Sequence, residues 1–412
     1  MTSEERHEAR YKRRKTKRDQ KRKDFLERHC GYAYASSRDG LYEAMTEASR
    51  HVMKKASVQR YRMQAAAKNA ALSDAMQKGR DITKGFICFD RMERGKTRHI
   101  MSVHFSERVG QKSINENILI PAMFRSNIYD NGASQKGRGT SHFVSELTKH
   151  LIRHYKRYGA EGYALIVDLH DYFGSADHDV IRENVARAID DPMARRFCDQ
   201  SLRAYERYHI RVNGQTPEQA RKGIGLGSEV NQTFMVSYLN RLDHLIKENL
   251  RIKGYDRYMD DFILLSPSKE YLFTCLKEIS KMCKELKVNL NPEKTQIVKL
   301  SHGFTILKTK WILTGTGRVI RTPSRKAITT ERRKMKKQAA LLEKGVLEFS
   351  DVRSSYASFR GSMTVSKKKR RANKKNTFHN ISRNAYMSLK RLDILYNDLF
   401  IDPFIRGDYK HG

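Results

Sequence analysis

Two periods of apolar and polar positions divide the chain into helical ends and a middle that contains strands. Residues 25–84 contain no proline and repeat apolar residues at helical spacing, and the chain beyond residue 327 does the same. Between these ends, short runs of β-branched and aromatic residues are separated by turn residues, which is typical of strands. The pattern therefore predicts a mixed α and β protein whose middle is flanked by helices.

The same two periods predict the elements of the middle. Strand segments are expected at residues 86–90, 97–103, 163–168, 209–214, 255–265, 288–300, 304–311 and 317–320. Helices are expected at residues 106–128, 141–158, 178–188, 190–208, 229–250 and 268–286, with a last helix at 380–400. No internal repeat or long low-complexity linker interrupts them, which indicates one compact, lobed molecule.

An acid pair, Asp260 and Asp261, falls at the turn of the hairpin expected within residues 255–265. Two neighbouring carboxylates between apolar strands repel each other and lose solvation. A divalent cation would offset both effects, because Mg²⁺ prefers hard oxygen ligands. A surface Asp-Asp turn without chemistry would also account for the pair.

A third acid, Asp168, ends the apolar run at residues 163–168. It can meet Asp260 and Asp261 if the two strands are neighbours in one sheet. Three carboxylates in one place would bind two Mg²⁺ ions at a separation of roughly 3.5–4 Å, one beside the attacking 3′-hydroxyl and one beside the leaving pyrophosphate. Catalysis would then consist mostly of positioning and charge stabilisation.

At these residues the sequence resembles the reverse transcriptases. Tyr258, Met259, Asp260 and Asp261 match the YxDD box of that family, and residues 168–173 match its first palm motif. Further matches follow in family order from about residue 85 to residue 325. The resemblance implies an RNA-directed DNA polymerase that makes nascent DNA from dNTPs on an RNA template.

The resemblance also implies a fold, an α+β right-hand polymerase with fingers, palm and thumb. The palm would be a small antiparallel sheet backed by helices. Residues 1–84 would form a basic helical extension, residues 85–160 the fingers, residues 161–325 the palm with finger–palm helices near 178–208, and residues 326–412 the helical thumb and C-terminal region.

Roles for single residues follow from the resemblance. Catalysis is expected from Asp168, Asp260 and Asp261, with Lys294 as a general acid near the pyrophosphate. The two Mg²⁺ ions would be held by Asp168, Leu169, Asp260 and Asp261. The incoming nucleotide is expected at Lys96, Arg98, Asp171, Tyr172, Phe173, Leu226, Gly227 and Gln232. Nucleic acid is expected at Lys136, Arg138, Tyr258, Met259, Phe304, Lys367, Lys368, Lys369, Arg370 and Arg371.

The chemistry of the side chains and backbone gives a physical reason for some of these roles. Phe173 would lie under the sugar of the incoming nucleotide, where its bulk excludes a 2′-hydroxyl and favours deoxynucleotides; plain core packing is the alternative. Asp171 and Tyr172 would offer backbone amides to the triphosphate. Arg98 can hold a phosphate with two hydrogen bonds, whereas Lys96 acts as a point charge.

The charge of the chain points to a polyanionic partner. Lys and Arg number 82 against 46 acids, which gives a formal net charge of +36. Nucleic acid is the first expectation and a membrane surface the second. Two local features fit phosphate binding: the Gly-rich loop at residues 131–140 with Lys136 and Arg138, and the run of cations at residues 367–371. A flexible connection would also explain the loop.

Cysteine content and hydropathy indicate where the protein works. The five cysteines are scattered without a CxxC pair, so neither a zinc ribbon nor a disulfide framework is supported. The N-terminus is charged, and no apolar run approaches the length of a membrane span. A reducing cytoplasm and no membrane partner are therefore expected.

Departures from the family pattern narrow the biological expectation. Residues 227–232 resemble the family's GxxxSQ-type box, which opens the palm helix. Leu226 stands where many retroviral and intron enzymes have Gln before the glycine of this box, and Asn231 and Gln232 stand in place of a later Ser-Pro. These features resemble diversity-generating retroelements and bacterial defence-associated reverse transcriptases, and they put ordinary high-fidelity copying in doubt. No stretch resembles an RNase H, integrase or HNH endonuclease module.

Three functions follow in order of preference. The first is a reverse transcriptase that copies a dedicated, structured non-coding RNA, in antiphage defence. The second is the mutagenic reverse transcriptase of a diversity-generating retroelement, working with a small accessory protein. The third is a non-enzymatic, maturase-like RNA-binding scaffold. The sequence leaves open whether the chain forms a homo-oligomer.

Overall fold

A computed structural model describes residues 3–28, 31–93, 96–363 and 383–400. Its α-helices are α1 Ser3–Arg28, α2 Gly31–Ala35, α3 Arg38–Ser49, α4 Ala56–Met63, α5 Ala65–Gln77, α6 Phe105–Ile114, α7 Ile120–Met123, α8 Thr140–Tyr158, α9 His178–Ala188, α10 Pro192–Asn213, α11 Glu229–Tyr238, α12 Asn240–His244, α13 Lys269–Glu285, α14 Arg325–Glu343, α15 Phe349–Met363 and α16 Arg383–Phe400. Two π-helical turns, Asn115–Leu119 and Leu245–Asn249, and three 3-10 turns, Phe124–Ser126, Gln219–Arg221 and Leu300–His302, complete the helical content.

The strands are short and pair in antiparallel fashion wherever a register is defined. They are β1 Phe86–Glu93, β2 Lys96–Val103, β3 Tyr163–Val167, β4 Leu169–His170, β5 Gly254–Tyr258, β6 Asp261–Ser266, β7 Asn289–Leu290, β8 Gln296–Lys299, β9 Phe304–Ile306, β10 Thr309–Leu313 and β11 Val319–Pro323. Helices and antiparallel sheets together confirm the predicted α+β class.

The chain separates into two compact units, each assembled from several stretches of sequence. Unit 1 contains Met1–Ile128, His170–Asp243 and Met282–Asn289. Unit 2 contains Tyr129–Leu169, His244–Lys281 and Leu290–Gly412. Among the helices of the described residues, none has both the length and the continuous apolar stretch needed to cross a membrane.

Unit 1 contains the β1–β2 hairpin and most of the N-terminal helices. β1 and β2 pair from Phe86 with Val103 to Glu93 with Lys96. The segment before α11 adds to this hairpin, because the Met101 N–H donates to the Leu226 carbonyl at 2.8 Å. Gly227 follows with a φ of +131°, and a Cβ there would lie 2.8 Å from the Met101 carbonyl oxygen. Close approach of the two backbones therefore requires glycine at this position.

Unit 2 is organised around a four-stranded sheet with the order β5-β6-β3-β8. α8 packs against β5 and β6, and its apolar face contributes Phe143, Leu147 and Leu151 to the core. The helix ends because Gly159, with a φ of +73°, turns the chain away while its N–H still bonds to the Tyr155 carbonyl.

A second sheet, of order β11-β10-β9, shares that core. Phe304 and Trp311 are buried and stacked with their ring centroids 6.4 Å apart. Leu307 and Lys308 form the β9–β10 turn and both have positive φ, at +47° and +65°. C-terminal to this sheet, α14, α15 and α16 enclose a separate core that includes Met335, Val352, Tyr356, Leu389 and Leu392.

Several sequence-based assignments differ from the structure, among them the helix expected at 106–128, which is divided into α6, a π-helical turn, α7 and a 3-10 turn. Residues 209–213, expected as strand, belong to α10, which continues until Gly214 ends it in a left-handed conformation with a φ of +64°. Residues 304–320 form three strands rather than one hairpin, because the chain also turns at 307–308. The helix expected at 229–250 is divided into α11, α12 and a π-helical turn. The cations at 367–371 lie outside the described residues.

Candidate active site

Strand pairing in unit 2 brings together two of the acids that the sequence singled out. Asp168 directly follows β3, and Asp261 opens β6. Val167 of β3 is paired with Phe262 of β6, so the two acids leave neighbouring strand ends. The Asp168 carboxyl group lies close enough to that of Asp261 to raise its pKa. Asp260 precedes Asp261 in the hairpin turn, close enough for its charge to act on Asp261.

The turn that carries Asp260 has a strained backbone. Tyr258 pairs with Asp261, so Met259 and Asp260 are the two central residues of the turn. Met259 has a φ of +57°, a left-handed conformation that glycine adopts more easily than other residues. Arg257 is fully buried and donates from Nη1 to the Met259 carbonyl at 3.1 Å. This hydrogen bond supports the peptide between the two strands.

Like charges are crowded at this site. Burial, followed by the charges of Asp260 and Asp168, raises the pKa of Asp261 to about 7. Lys294 donates to Asp168 Oδ2 at 2.7 Å, and Asn291 Nδ2 donates to the same oxygen at 3.0 Å. The hydrogen bond to Asp168 raises the pKa of Lys294. One ammonium group therefore faces three carboxyl groups.

The donor set fits a divalent cation. Carboxylate oxygens are hard ligands, and a bound cation would offset both causes of the raised pKa of Asp261, its burial and the charges of Asp260 and Asp168. Asp168, Asp260 and Asp261 would hold it. Leu169, also expected as a ligand, has a hydrocarbon side chain without a donor atom, so only its backbone carbonyl could take part.

The residues expected around the triphosphate lie in unit 1. Asp171 begins a tight turn with a φ of +41°, and its carbonyl accepts a hydrogen bond from the Ser175 N–H at 2.8 Å. The Tyr172 side chain is buried and donates to the Met235 carbonyl, so only its backbone is available to a ligand. Phe173 is half-buried and contacts Tyr172 edge to face.

The remaining expected nucleotide contacts lie on or beside the β1–β2 hairpin. Lys96 opens β2, and Arg98 is exposed opposite Arg91. Leu226 is half-buried, whereas Gly227 and Gln232 are exposed.

Asn231 is turned into the protein, where its Nδ2 donates to the Tyr205 hydroxyl at 2.7 Å and the Gly225 carbonyl at 2.8 Å. Asn231, one of the two residues that stand in place of the family's Ser-Pro, therefore fixes the backbone of the segment just before α11.

The expected nucleic-acid contacts are more dispersed. Lys136 is exposed and Arg138 half-buried in the Gly-rich loop. Tyr258 is half-buried, with its ring centroid 6.2 Å from that of Phe143, and Met259 is half-buried in the turn. Phe304 is 3% exposed and its side chain belongs to the core, so the expected contact of this side chain with nucleic acid does not fit the structure.

A second ionisable cluster, which the sequence analysis missed, lies behind β5. Asp256 and His150 share a hydrogen bond of 2.8 Å, and His150 Nε2 is 3.7 Å from Asp130 Oδ1. Within the described residues, Asp130, His150 and Asp256 form a group whose ligand atoms all lie within 4.8 Å of one another, close enough to hold one metal ion. Lys247 already pairs with Asp130 at 2.7 Å. The signal in the sequence was the spacing of His150, which falls on the buried face of α8.

Acids at adjoining strand ends of an antiparallel sheet are typical of enzymes that transfer nucleotidyl groups with metal ions. A family model described as "Reverse transcriptase (RNA-dependent DNA polymerase)" matches residues 90–327, more than half of the 412-residue chain. The chain belongs to the reverse transcriptase family. It is an RNA-directed DNA polymerase, a nucleotidyltransferase with an RNA template, dNTP substrates and a DNA product.

Two further properties follow from membership in this family. Polymerases of this family use divalent metal ions and have a right-hand polymerase fold. A comparison with curated proteins found no match.

Proposed function

We propose that Asp168, Asp260 and Asp261 form the catalytic centre and bind two Mg²⁺ ions during nucleotidyl transfer. The observation that carries this proposal is the convergence of Asp168 and Asp261 at neighbouring strand ends, with the pKa of Asp261 raised to about 7 by burial and by the other two acids. Bound Mg²⁺ would supply an activated 3′-hydroxyl and charge stabilisation at the pyrophosphate.

The chain's own groups have separate tasks in this proposal. Arg257 and the β5–β6 pairing hold Asp260 and Asp261 in fixed positions. Lys294, whose pKa is raised by Asp168, keeps its proton at neutral pH and acts as the general acid toward the leaving pyrophosphate. In unit 1, Lys96 and Arg98 bind the triphosphate, and Phe173 excludes a ribose 2′-hydroxyl.

The proposed division into fingers, palm and thumb follows the sequence boundaries. The fingers would contain the β1–β2 hairpin, the palm the β5-β6-β3-β8 sheet, and the thumb α14–α16. The basic helical extension at 1–84 and the cations at 367–371 would hold a structured RNA through phosphate contacts.

Removal of the carboxylate charges tests the catalytic proposal. Asp260→Asn and Asp261→Asn each keep side-chain volume and remove the negative charge of one metal ligand, so we expect Mg²⁺-dependent primer extension to fall by at least about 1,000-fold. Asp190→Asn is a matched control, because the Asp190 side chain is 82% exposed and belongs to unit 1. Undiminished DNA synthesis by the Asp260 or Asp261 variant would eliminate the assignment.

The biological role that we propose is copying of a dedicated, structured non-coding RNA in antiphage defence. Leu226 and Asn231–Gln232, in the positions described above, support a defence-associated or diversity-generating branch. Sequencing the nucleic acid that copurifies with the protein tests this role: a single abundant RNA with complementary DNA is expected. A template repeat and a variable target gene beside the coding region would instead assign the protein to a diversity-generating retroelement.

A further inference from the structure

A buried histidine connects three segments of unit 1. His178 is the first residue of α9 and is 0% exposed. Its ring Nδ1 lies 3.0 Å from Glu206 Oε1 on α10, and its Nε2 lies 3.0 Å from the Gly223 carbonyl oxygen. A carbonyl oxygen only accepts hydrogen bonds, so Nε2 is the donor to Gly223. The ring therefore binds the backbone at Gly223 to α9 and α10.

Ionic contacts hold the Glu206 end of this arrangement. The hydrogen bond with His178 is the main reason that the pKa of Glu206 is lowered to about 2, and Arg182 lowers it further. Arg182 donates from Nη2 to Glu206 Oε1 at 2.8 Å and from Nε to Asp199 Oδ1 at 2.8 Å. An ionised carboxylate only accepts, so the two hydrogen bonds of His178 require an N–H at each ring nitrogen. Both bonds together fix the orientation of the ring.

A single peptide group lies between His178 and Phe173. The Gly223 carbonyl that His178 binds belongs to the same peptide group as the Ile224 N–H, which donates to the Phe173 carbonyl at 3.0 Å. The Gly223 N–H donates to the Ala176 carbonyl at 2.7 Å. Because a peptide group is planar, its C=O and N–H cannot turn independently. A ring that holds this carbonyl therefore also fixes the N–H that holds the Phe173 backbone.

We propose that His178 is a positioning residue for sugar selection, which holds the Phe173 backbone through the Gly223–Ile224 peptide so that the Phe173 ring excludes a 2′-hydroxyl. Exclusion of a single oxygen atom requires the ring to be placed within roughly 0.5 Å, and such precision comes from supporting hydrogen bonds. His178 is fully buried, so it acts through the backbone and not by contact with the nucleotide. This inference rests on the proposed role of Phe173.

Two substitutions separate the two hydrogen bonds of His178. Glutamine places its side-chain N–H at the position of Nε2 and can donate to the Gly223 carbonyl, whereas the shorter asparagine reaches only as far as Nδ1, toward Glu206. We expect discrimination of dNTP over rNTP, the ratio of kcat/KM for dCTP and CTP, to fall about 3- to 10-fold in His178→Asn. His178→Gln should stay within about twofold of wild type.

The origin of the loss distinguishes positioning from general damage. A displaced Phe173 ring admits CTP, so kcat/KM for CTP should rise in His178→Asn while that for dCTP stays within about twofold of wild type. His209→Asn is the matched control, because His209 is also a histidine of unit 1 but its Nδ1 faces Asn213 on the same helix. Its ratio should equal that of wild type.

A double variant tests whether His178 acts through Phe173. Once Phe173→Ala has removed the ring, there is nothing left to position, so adding His178→Asn should change the ratio by less than about twofold. Multiplication of the two effects would mean that His178 acts by another route and would overturn the inference. Circular dichroism melting verifies that each variant is folded.

Glu206→Gln keeps the inference testable if His178→Asn does not fold. The Glu206 side chain is 18% exposed, and glutamine removes the charge that favours a proton on each nitrogen of His178. Its ratio should fall in the same direction, again only when Phe173 is present.

The remaining outcomes separate the two proposals. Unchanged discrimination in folded His178→Asn, with loss in Phe173→Ala, would overturn the inference and leave the role of Phe173 intact. Equal loss in His178→Asn and His178→Gln would assign the ring to packing alone and also overturn it. Unchanged discrimination in Phe173→Ala as well would overturn the proposed role of Phe173 itself.

Discussion

At the scale of single residues, the turn between Tyr258 and Asp261 depends on side chains that are not themselves acids. Met259 holds a left-handed backbone conformation that costs about 1–3 kcal/mol for a residue other than glycine. Such a conformation persists when the surroundings fix it. Arg257, buried and bonded to the Met259 carbonyl, is one of those surroundings. Its position next to Tyr258 in the sequence gave no sign that its side chain would support the turn.

Replacement of Arg257 should slow catalysis more than it weakens nucleotide binding. Arg257→Met keeps the length of the side chain and removes the bond to Met259; loss of about 1.5–3 kcal/mol corresponds to a roughly 10- to 100-fold lower kcat. KM for dNTP should change little, and Arg257→Lys should be intermediate. Steady-state primer extension measures both constants.

Arg321→Met is the control for Arg257, because Arg321 also belongs to unit 2 and lies over Trp311, 5.5 Å from the ring centre. A folded Arg257→Met enzyme with wild-type kcat would show that the turn does not need this hydrogen bond.

Phe173 should determine the choice of sugar. Phe173→Ala opens space beside the turn at residues 171–175, and we expect discrimination of dNTP over rNTP to fall by about 10-fold or more. The ratio of kcat/KM for dCTP and CTP measures this change. Tyr172→Phe, which loses the hydrogen bond to the Met235 carbonyl but keeps its ring, should retain wild-type discrimination. Unchanged discrimination in Phe173→Ala would mean that Phe173 only packs in the core.

At the scale of elements, backbone contacts hold the box segment against the β1–β2 hairpin. Leu226 bonds to Met101 of β2, and Asn231 holds Gly225 and Tyr205. The sequence pattern predicted both the hairpin and the helix after the box, because each has its own period. It did not predict that the segment between them pairs with β2, since such pairing depends on residues more than a hundred positions apart.

A side chain at Gly227 should separate these elements. The added Cβ of Gly227→Ala would lie 2.8 Å from the Met101 carbonyl oxygen in a conformation that alanine adopts poorly. We expect the free energy of unfolding to fall by about 1–3 kcal/mol and KM for dNTP to rise. Chemical denaturation and primer extension measure these effects.

Gly315→Ala is the control for Gly227, since a Cβ at Gly315 would meet no heavy atom within 4 Å. Wild-type stability and KM in Gly227→Ala would contradict the close approach of the two backbones.

At the scale of the whole molecule, the charged groups indicate the kind of partner and set the dependence of stability on pH. The formal net charge of +36 follows from composition and already indicates a polyanionic partner. Composition does not show which groups titrate near neutral pH, because that depends on how deeply each group is buried. Glu107 is 2% exposed and accepts hydrogen bonds from the Lys84 N–H and Gln111 Nε2. Burial is the main reason that its pKa is raised from 4.5 to about 7.

Glu107 should make the protein less stable as pH rises. Between pH 4.5 and about 7 the folded state keeps a proton that the unfolded chain releases, so stability from this group is present at low pH and is lost as pH rises toward 7. Glu107→Gln cannot ionise, and its Tm relative to wild type should therefore be higher at pH 8 than at pH 5. Scanning calorimetry at both values measures the difference.

Glu183→Gln is the control for Glu107, because the Glu183 side chain is 61% exposed. Parallel Tm curves for wild type and Glu107→Gln across this range would show that Glu107 ionises normally in the folded protein.

The sequence by itself determined the local and chemical features of this protein. Helical ends, three regions of hairpin, the acids Asp168, Asp260 and Asp261, and the excess of cations all follow from residue types at short spacing, since periodicity and charge act locally. The extension of α10 through residue 213 was missed because a short alternating run there fits both periods, and the continuing helix prevailed.

Tertiary structure alone decided which residues share a site. The pairing of β3 with β6 put Asp168 beside Asp261, and burial then raised the pKa of Asp261. The same packing turned His150 and Asp256 toward each other, placed Phe304 in the core, and left Tyr129 exposed beside Arg138. Each of these outcomes depends on contacts between distant segments and on the loss of water around them, which no local pattern of residues contains.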